Sequence, residues 1–226
     1  MDKKDLYEKS TIRLFDEAVG GGLKAGEIGI ITSKKGLGKT SVLVQFGMDT
    51  LLEGKQLVHV SFDVHSSNVI SWYDGIFSEI AKKKNISNSA ELKEDVVRNR
   101  TILNFSLDNF SVTKVVSTLK ALKAGGIDVA AVVMDGIDFA KVSEDDVKAV
   151  ADYAASEKVA VWTSATAEGN KLSDSVPASL EKYFAAVVHL DPATDGVGVN
   201  VLKMRDQKDL GSVLKLDSKT LLFSKK

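Results

Sequence analysis

The chain has 226 residues, of which 44% are hydrophobic and 27% are charged, a balance typical of one globular domain that can bury a substantial core. Its 30 Lys and Arg residues are matched by 31 Asp and Glu residues, so no overall field favours nucleic acid or anionic lipid. The absence of cysteine excludes disulfides, cysteine nucleophiles and thiolate metal sites, and no apolar run reaches the roughly 20 residues that a membrane-spanning helix needs.

Apolar, β-branched runs alternate with helical patterns through the first two thirds of the chain. The predicted strands are Glu27–Thr32, Leu57–Phe62, Thr101–Phe105, Val129–Met134 and Val159–Thr163, and the predicted helices are Lys39–Glu53, Asn68–Lys83, Val112–Ala124 and Asp145–Ser156. Such alternation, with nearly continuous apolar strands, predicts a parallel sheet covered by helices on both faces. The polar stretch Lys82–Arg100 is interpreted as a surface excursion.

The pattern changes in the last third of the chain. Phe184–Leu190, Val199–Met204 and Ser212–Leu216 are predicted strands separated by short turns such as Ala193–Gly196. Strands joined in this way predict an antiparallel extension at one edge of the sheet. The whole chain, residues 1–226, is therefore predicted to be a single α/β domain with a mainly parallel central sheet, flanking helices and an antiparallel C-terminal extension.

A glycine-containing loop lies between the first predicted strand and the first long helix. Its residues and the next one are Ser33, Lys34, Lys35, Gly36, Leu37, Gly38, Lys39, Thr40 and Ser41. The segment matches the end of the phosphate-binding pattern G-x-x-x-x-G-K-[ST], although Ser33 replaces the first glycine. Gly36 and Gly38 allow backbone N–H groups to turn toward an anion, and the helix N-terminus adds partial positive charge. The alternative is a tight strand-to-helix turn that matches by chance.

We expect residues 33–41, Ser41 included, to bind the phosphates of ATP. Lys39 is predicted to contact the β- and γ-phosphates, and the Thr40 hydroxyl to be a ligand of Mg²⁺. A second metal candidate is Asp135, which ends the apolar run Ile127–Met134. A carboxylate at the C-terminal end of a central parallel strand lies at the same sheet edge as the phosphate loop. The alternative is an aspartate that only caps the following turn.

At this level the sequence resembles the RecA superfamily, and within it the branch of KaiC, RadA and the DnaB helicase. The segment Leu14–Glu27 is similar to that branch's lead-in, L-D-x-x-x-G-G-G-L-x-x-G-E, and Ile102–Asp135 is similar in layout to the stretch that ends in the Walker B strand. The resemblance covers about residues 11 to 223. It implies a RecA-like P-loop NTPase fold and ATP held at the subunit interfaces of a homo-oligomer, either a ring or a filament. We expect its ATP hydrolysis to be slow.

The resemblance also assigns roles at the ends of two strands. The family's catalytic glutamate follows the second core strand, where this chain has Asp63, so Asp63 is the candidate general base. Its side chain is one methylene shorter, which puts its reach to a water in question, and a solvated strand-end carboxylate is the alternative. Thr163 or Ser164 occupies the end of the strand that senses the γ-phosphate in the family. Hydroxyl residues are also common in ordinary turns.

The segment Val201–Arg205 resembles the K-x-R strand that KaiC and DnaB present to the nucleotide of the neighbouring subunit. Residues i and i+2 of a strand point to one face, so Lys203 and Arg205 are predicted to reach one phosphate together. Such an arginine finger increases the rate of nucleotide hydrolysis roughly 10³–10⁵-fold. The alternative is an exposed basic face on an edge strand.

The expected partners are nucleotide and further copies of the chain. The segments that correspond to the family's DNA-gripping loops, Lys141–Asp146 and Glu168–Asp174, do not form a basic channel, so nucleic acid is weakly supported. A nucleotide-binding regulatory or scaffold module without efficient hydrolysis is the main alternative, and a DNA-dependent motor or recombination accessory is less favoured. Residues 1–6 are charged and lack the apolar core of a signal peptide, so we expect a cytoplasmic protein without a membrane partner.

Overall fold

The structure is a computed structural model that describes residues 3–62, 65–105 and 111–226. Its strands are β1 (Ile28–Ser33), β2 (Gln56–Phe62), β3 (Arg100–Phe105), β4 (Val129–Ile137), β5 (Ala160–Thr166), β6 (Phe184–Ala193), β7 (Gly196–Met204), β8 (Gln207–Asp217) and β9 (Phe223–Ser224). Its helices are α1 (Lys3–Glu8), α2 (Ile12–Val19), α3 (Lys39–Leu52), α4 (Ser66–Lys84), α5 (Ser89–Val97), α6 (Val112–Ala124), α7 (Glu144–Glu157) and α8 (Leu172–Ser175), with a short 3-10 helix at Glu181–Tyr183. None of these helices is long and apolar enough to cross a membrane.

The strands form one sheet in the order β3-β2-β4-β5-β1-β6-β7-β8-β9. From β3 to β6 every neighbouring pair is parallel, whereas β7, β8 and β9 are added in antiparallel pairs. The predicted α/β class, with a mostly parallel sheet, flanking helices and an antiparallel C-terminal part, is confirmed. Because β1 to β6 run in one direction, their C-terminal ends share one edge of the sheet, called here the carboxyl edge.

The interpretation of Lys82–Arg100 as a surface excursion is wrong in part. Helix α5 occupies residues 89–97, and it buries Leu92 and Val96 against the cluster that also contains Tyr73 of α4. The first residues of the stretch complete α4, which ends in three lysines near its C-terminus. Only two apolar side chains attach α5 to the core, which is why the sequence pattern there was weak.

The two faces of the sheet carry separate apolar clusters. Adjacent residues of one strand are divided between them: Ile31 of β1 belongs to the cluster beneath α1 to α5, and Ile30 to the cluster beneath α6 and α7. Both residues are fully buried. This division follows from the alternation of side chains along a strand, and it explains why the parallel strands are apolar without interruption.

Helix α3 is fixed on the sheet by an aromatic contact. Phe46 stacks on Trp162 of β5, with ring centroids 4.3 Å apart and an interplanar angle of 7°. Trp162 in turn covers Gly29 of β1, where an added Cβ would lie 2.6 Å from its ring. Burial of aromatic surface of this kind contributes several kcal/mol to the free energy of folding, at about 25 cal/mol per Å² of buried apolar surface. The contact therefore sets the position of α3, whose first residue is Lys39.

Candidate functional site

The glycine loop, residues 33–40, lies at the carboxyl edge, between β1 and α3. Ser33 is the last residue of β1, and Gly38 is the residue that caps the N-terminus of α3. Gly36 and Gly38 have φ values of 87° and 95°, in the left-handed region that residues with a Cβ rarely adopt. The free N–H groups of the first turn of α3 lie directly after this turn. A loop of this shape at the N-terminus of a 14-residue helix provides donors and positive potential for an anion.

Lys39 is held against the start of this loop. Its Nζ donates to the Ser33 carbonyl, the Ser33 hydroxyl and the Lys34 carbonyl, each at 3.2 Å. Burial lowers the pKa of Lys39 below its ordinary value, and the negative charge of Asp135 offsets part of this effect. All three acceptors are neutral, so the ammonium charge remains available to a phosphate. Ser33 supplies two of them, and one of these, the hydroxyl, is a group that the expected glycine would lack.

Three side chains from different elements meet beside the loop. The Thr40 hydroxyl of α3 donates to Oδ2 of Asp135 at 2.7 Å, although the two residues are 95 positions apart. The Ser164 hydroxyl of β5 donates to Oδ1 of the same carboxylate at 2.6 Å and accepts from the Gly136 N–H at 2.9 Å. The predicted strand ended at Met134, whereas β4 continues to Ile137 and includes Asp135. Both carboxylate oxygens of Asp135 accept hydrogen bonds, one from Thr40 and one from Ser164.

These contacts distinguish the two candidate sensor residues. Ser164 reaches Asp135, whereas the Thr163 hydroxyl donates to the Gly29 carbonyl at 3.1 Å, inside the sheet. Thr163 is 1% exposed, and its contact holds β5 to β1. Of the pair, only Ser164 contacts the cluster at the carboxyl edge.

The Thr40 and Asp135 pair offers two hard oxygen donors to a metal ion. Mg²⁺ prefers oxygen ligands and is usually bound by one or two protein side chains together with substrate phosphates and water. Within residues 3–62, 65–105 and 111–226, no group of three or more His, Asp or Glu side chains forms a self-sufficient metal site. The donors present fit Mg²⁺ that is bound together with a nucleotide.

Ser41 faces away from the loop. Its hydroxyl donates to the Leu221 carbonyl at 3.1 Å, and the Gln45 side chain donates to the same oxygen at 2.9 Å. Gln45 also accepts from the Phe223 N–H at 3.0 Å. The Ser41 side chain therefore holds α3 to the C-terminal segment. Nothing in the sequence indicates this contact, because the acceptor is a backbone carbonyl.

The candidate base Asp63 lies outside the described residues. The preceding strand, β2, ends at Phe62, and Ser61 is paired in register with Asp135 of β4. Strand β2 therefore ends at the carboxyl edge, next to the strand that carries Asp135. The role of Asp63 stays a prediction.

Lys203 and Arg205 lie at the opposite edge of the sheet. Arg205 donates from Nε and Nη2 to the two carboxylate oxygens of Glu27 at 2.8 and 2.9 Å, and from Nη2 to the Gly22 carbonyl at 2.8 Å. Lys203 donates to the Glu181 carbonyl at 2.8 Å. The expectation that both residues occupy one strand is wrong for Arg205, because β7 ends at Met204 and Arg205 has a φ of 53° in the turn to β8.

Comparison of the chain with protein-family models and with curated proteins gives no match. The chemistry of this site is therefore inferred from its own geometry and from the sequence pattern that surrounds it.

Proposed function

We propose that this chain is an ATP-binding, RecA-like P-loop ATPase of the DnaB and KaiC type, which holds ATP and Mg²⁺ at residues 33–40. The single observation that supports this most is the 2.7 Å hydrogen bond from Thr40, at the end of the glycine loop, to Asp135. A chance match to the loop pattern does not predict a carboxylate at this place. The pattern at 33–40 and the carboxylate at position 135 are far apart in the sequence, and this hydrogen bond joins them.

The strand order supports the same proposal. Strand β5 lies between the loop strand β1 and the carboxylate strand β4, and it contributes Ser164 to the group. The glycine loop, the carboxylate and the intervening hydroxyl thus come from three elements at one sheet edge. Ligands of open α/β sheets bind at such an edge.

Each residue of the site has a separate proposed role. The loop amides and the N-terminus of α3 receive the phosphates, and Lys39 exchanges the neutral acceptors on Ser33 and Lys34 for phosphate oxygens. Mg²⁺, when bound, supplies positive charge that neutralises the phosphoryl oxygens. Thr40 and Asp135 hold that ion, and Ser164 keeps the Asp135 carboxylate oriented. Asp63 remains the proposed base.

Assembly is proposed to complete the site. Lys203 and Arg205 lie at the edge opposite the loop of their own chain, so a phosphate could be reached only on another copy. In the single chain Arg205 is bound by Glu27, which favours slow hydrolysis unless assembly releases it. The same observation favours the second candidate, a nucleotide-binding regulatory module in which Arg205 stays structural.

Two matched lysine variants test nucleotide binding. Lys39→Ala removes a half-buried ammonium, whereas Lys35→Ala removes an equal charge from an exposed loop residue. We expect Lys39→Ala to abolish binding of a fluorescent ATP analogue and Lys35→Ala to retain it. Equal affinities for the two variants would contradict the proposal.

A mixing experiment separates the two candidates. Arg205→Ala chains and Lys39→Ala chains are each expected to release little phosphate alone. A mixture that regains turnover supports an arginine acting between subunits. A mixture that stays inactive, while the wild type binds ATP, favours the regulatory module.

A further inference from the structure

A buried polar cluster lies next to the phosphate loop, on the side away from Asp135. Nδ1 of His189, in β6, is 2.9 Å from the Thr32 hydroxyl and 3.3 Å from the Ser175 hydroxyl. The two hydroxyls are 3.1 Å apart. Thr32 is fully buried, and Ser175 and His189 are each 2% exposed. Nothing in the proposed chemistry uses this cluster.

The neighbours of His189 define its protonation. Nε2 lies 3.4 Å from Asp191, a carboxylate that can only accept, so Nε2 carries the proton and Nδ1 accepts from a hydroxyl. Asn200 donates to the other Asp191 oxygen at 2.8 Å and holds the carboxylate in place. Burial lowers the pKa of His189, Asp191 and Asp174 oppose this effect, and Lys39 adds to it.

The cluster joins two segments at the carboxyl edge. Thr32 immediately precedes Ser33, whose carbonyl accepts both from Lys39 Nζ at 3.2 Å and from the Ala167 N–H at 3.0 Å. Ser175 ends α8, in the segment 167–176 that continues from β5. When Lys39 turns from the Ser33 carbonyl to a phosphate, that carbonyl keeps the hydrogen bond from the Ala167 N–H of this segment. A movement of Ser33 therefore affects two contacts with the segment 167–176, that of the Ser33 carbonyl with Ala167 and that of the adjacent Thr32 with Ser175.

We propose that His189 is a positioning residue that joins the phosphate loop to the segment 167–176, so that nucleotide binding and the conformation of this segment are coupled. The proposal rests on the proposed nucleotide site. Its essential contact is Nδ1 with Thr32 and Ser175, and the contact of Nε2 with Asp191 only orients the ring.

Two pairs of variants separate these contacts. In His189→Asn the side-chain oxygen replaces Nδ1 as acceptor, whereas in His189→Gln the amide nitrogen replaces Nε2 as donor to Asp191 and the Nδ1 acceptor is lost. Thr32→Val removes the hydroxyl with little change of shape. Thr11→Val is its control, because Thr11 is also buried and donates to Gln45 at 3.2 Å, away from the loop.

The readout is trypsin cleavage after Lys171, which is exposed and lies within the segment. We expect ATP with Mg²⁺ to slow this cleavage roughly fivefold in the wild type, the ratio that one buried hydrogen bond supplies. Thr11→Val and His189→Asn should keep this protection, and Thr32→Val and His189→Gln should lose it. Thermal unfolding checks that each variant is folded, and Thr32→Val carries the test if His189→Gln does not fold.

The outcomes separate this proposal from the function on which it rests. A wild type that binds ATP, with Thr32→Val and His189→Gln protected as fully as the wild type, overturns the coupling alone. Loss of protection in Thr11→Val to the same extent also overturns it. A wild type that binds no nucleotide overturns the proposed function and the coupling together.

Discussion

Replacing Thr40 by Val tests the link between the glycine loop and Asp135. The change removes the hydroxyl that donates to the carboxylate at 2.7 Å and leaves the Ser164 bond at 2.6 Å. A hydrogen bond to a charged group contributes about 1.5–3 kcal/mol, so Thr40→Val should lower the free energy of unfolding by about 2 kcal/mol. Thr40→Ser keeps the hydroxyl and should recover most of this loss.

The same variant separates stability from ligand binding. A ligand at 100 times its Kd stabilises a folded protein by about 2.7 kcal/mol. Urea unfolding of the wild type and Thr40→Ser should show a gain of this size with ATP and Mg²⁺, and a smaller gain when EDTA replaces Mg²⁺. Thr40→Val should show no difference between Mg²⁺ and EDTA. Full Mg²⁺-dependent stabilisation of Thr40→Val would refute the assignment of Thr40 and Asp135 as metal ligands.

Three further predictions concern other parts of the molecule. Burial raises the pKa of Asp49 to about 6, above its value in an unfolded chain, so the folded state binds this proton more tightly. The free energy of unfolding should therefore decrease as the pH rises from about 4 to about 6, by on the order of 2–3 kcal/mol. Urea unfolding across this range should show the slope in the wild type and lose it in Asp49→Asn. Glu27→Gln weakens the pair with Arg205 and should raise phosphate release at equal chain concentration if Arg205 acts on a neighbour; unchanged release would argue for a structural arginine. Gly29→Ala places a Cβ 2.6 Å from the Trp162 ring and should cost about 1–3 kcal/mol in thermal unfolding, whereas a neutral result would contradict the tight contact.

The sequence predicted the parts of the fold that local patterns determine. The apolar strands, the glycine loop after β1 and the carboxylate in β4 all follow from periodicity and from residues with restricted backbone preferences. Their placement at one edge follows from parallel pairing. The prediction that Asp135 lies near Thr40 needed only the rule that parallel strands end on the same side.

Contacts between distant parts of the chain were not predictable in the same way. The Glu27 partner of Arg205 is 178 residues away, and nothing in the K-x-R pattern indicates that the arginine is engaged within its own chain. His189 occupies a strand position that fits an ordinary packed residue. Its contacts with Thr32 and Ser175 depend on the pairing of β6 with β1, which periodicity alone does not specify.

Hydrogen–deuterium exchange of the wild-type chain, with and without ATP and Mg²⁺, tests the central claim most directly. If the amides of the glycine loop and the first turn of α3 receive the phosphates, their exchange should slow on addition of nucleotide, with the largest change in peptides that cover residues 34–42. Bound nucleotide that protects other segments and leaves these amides unchanged would contradict the account, as would the absence of any protection at saturating ATP.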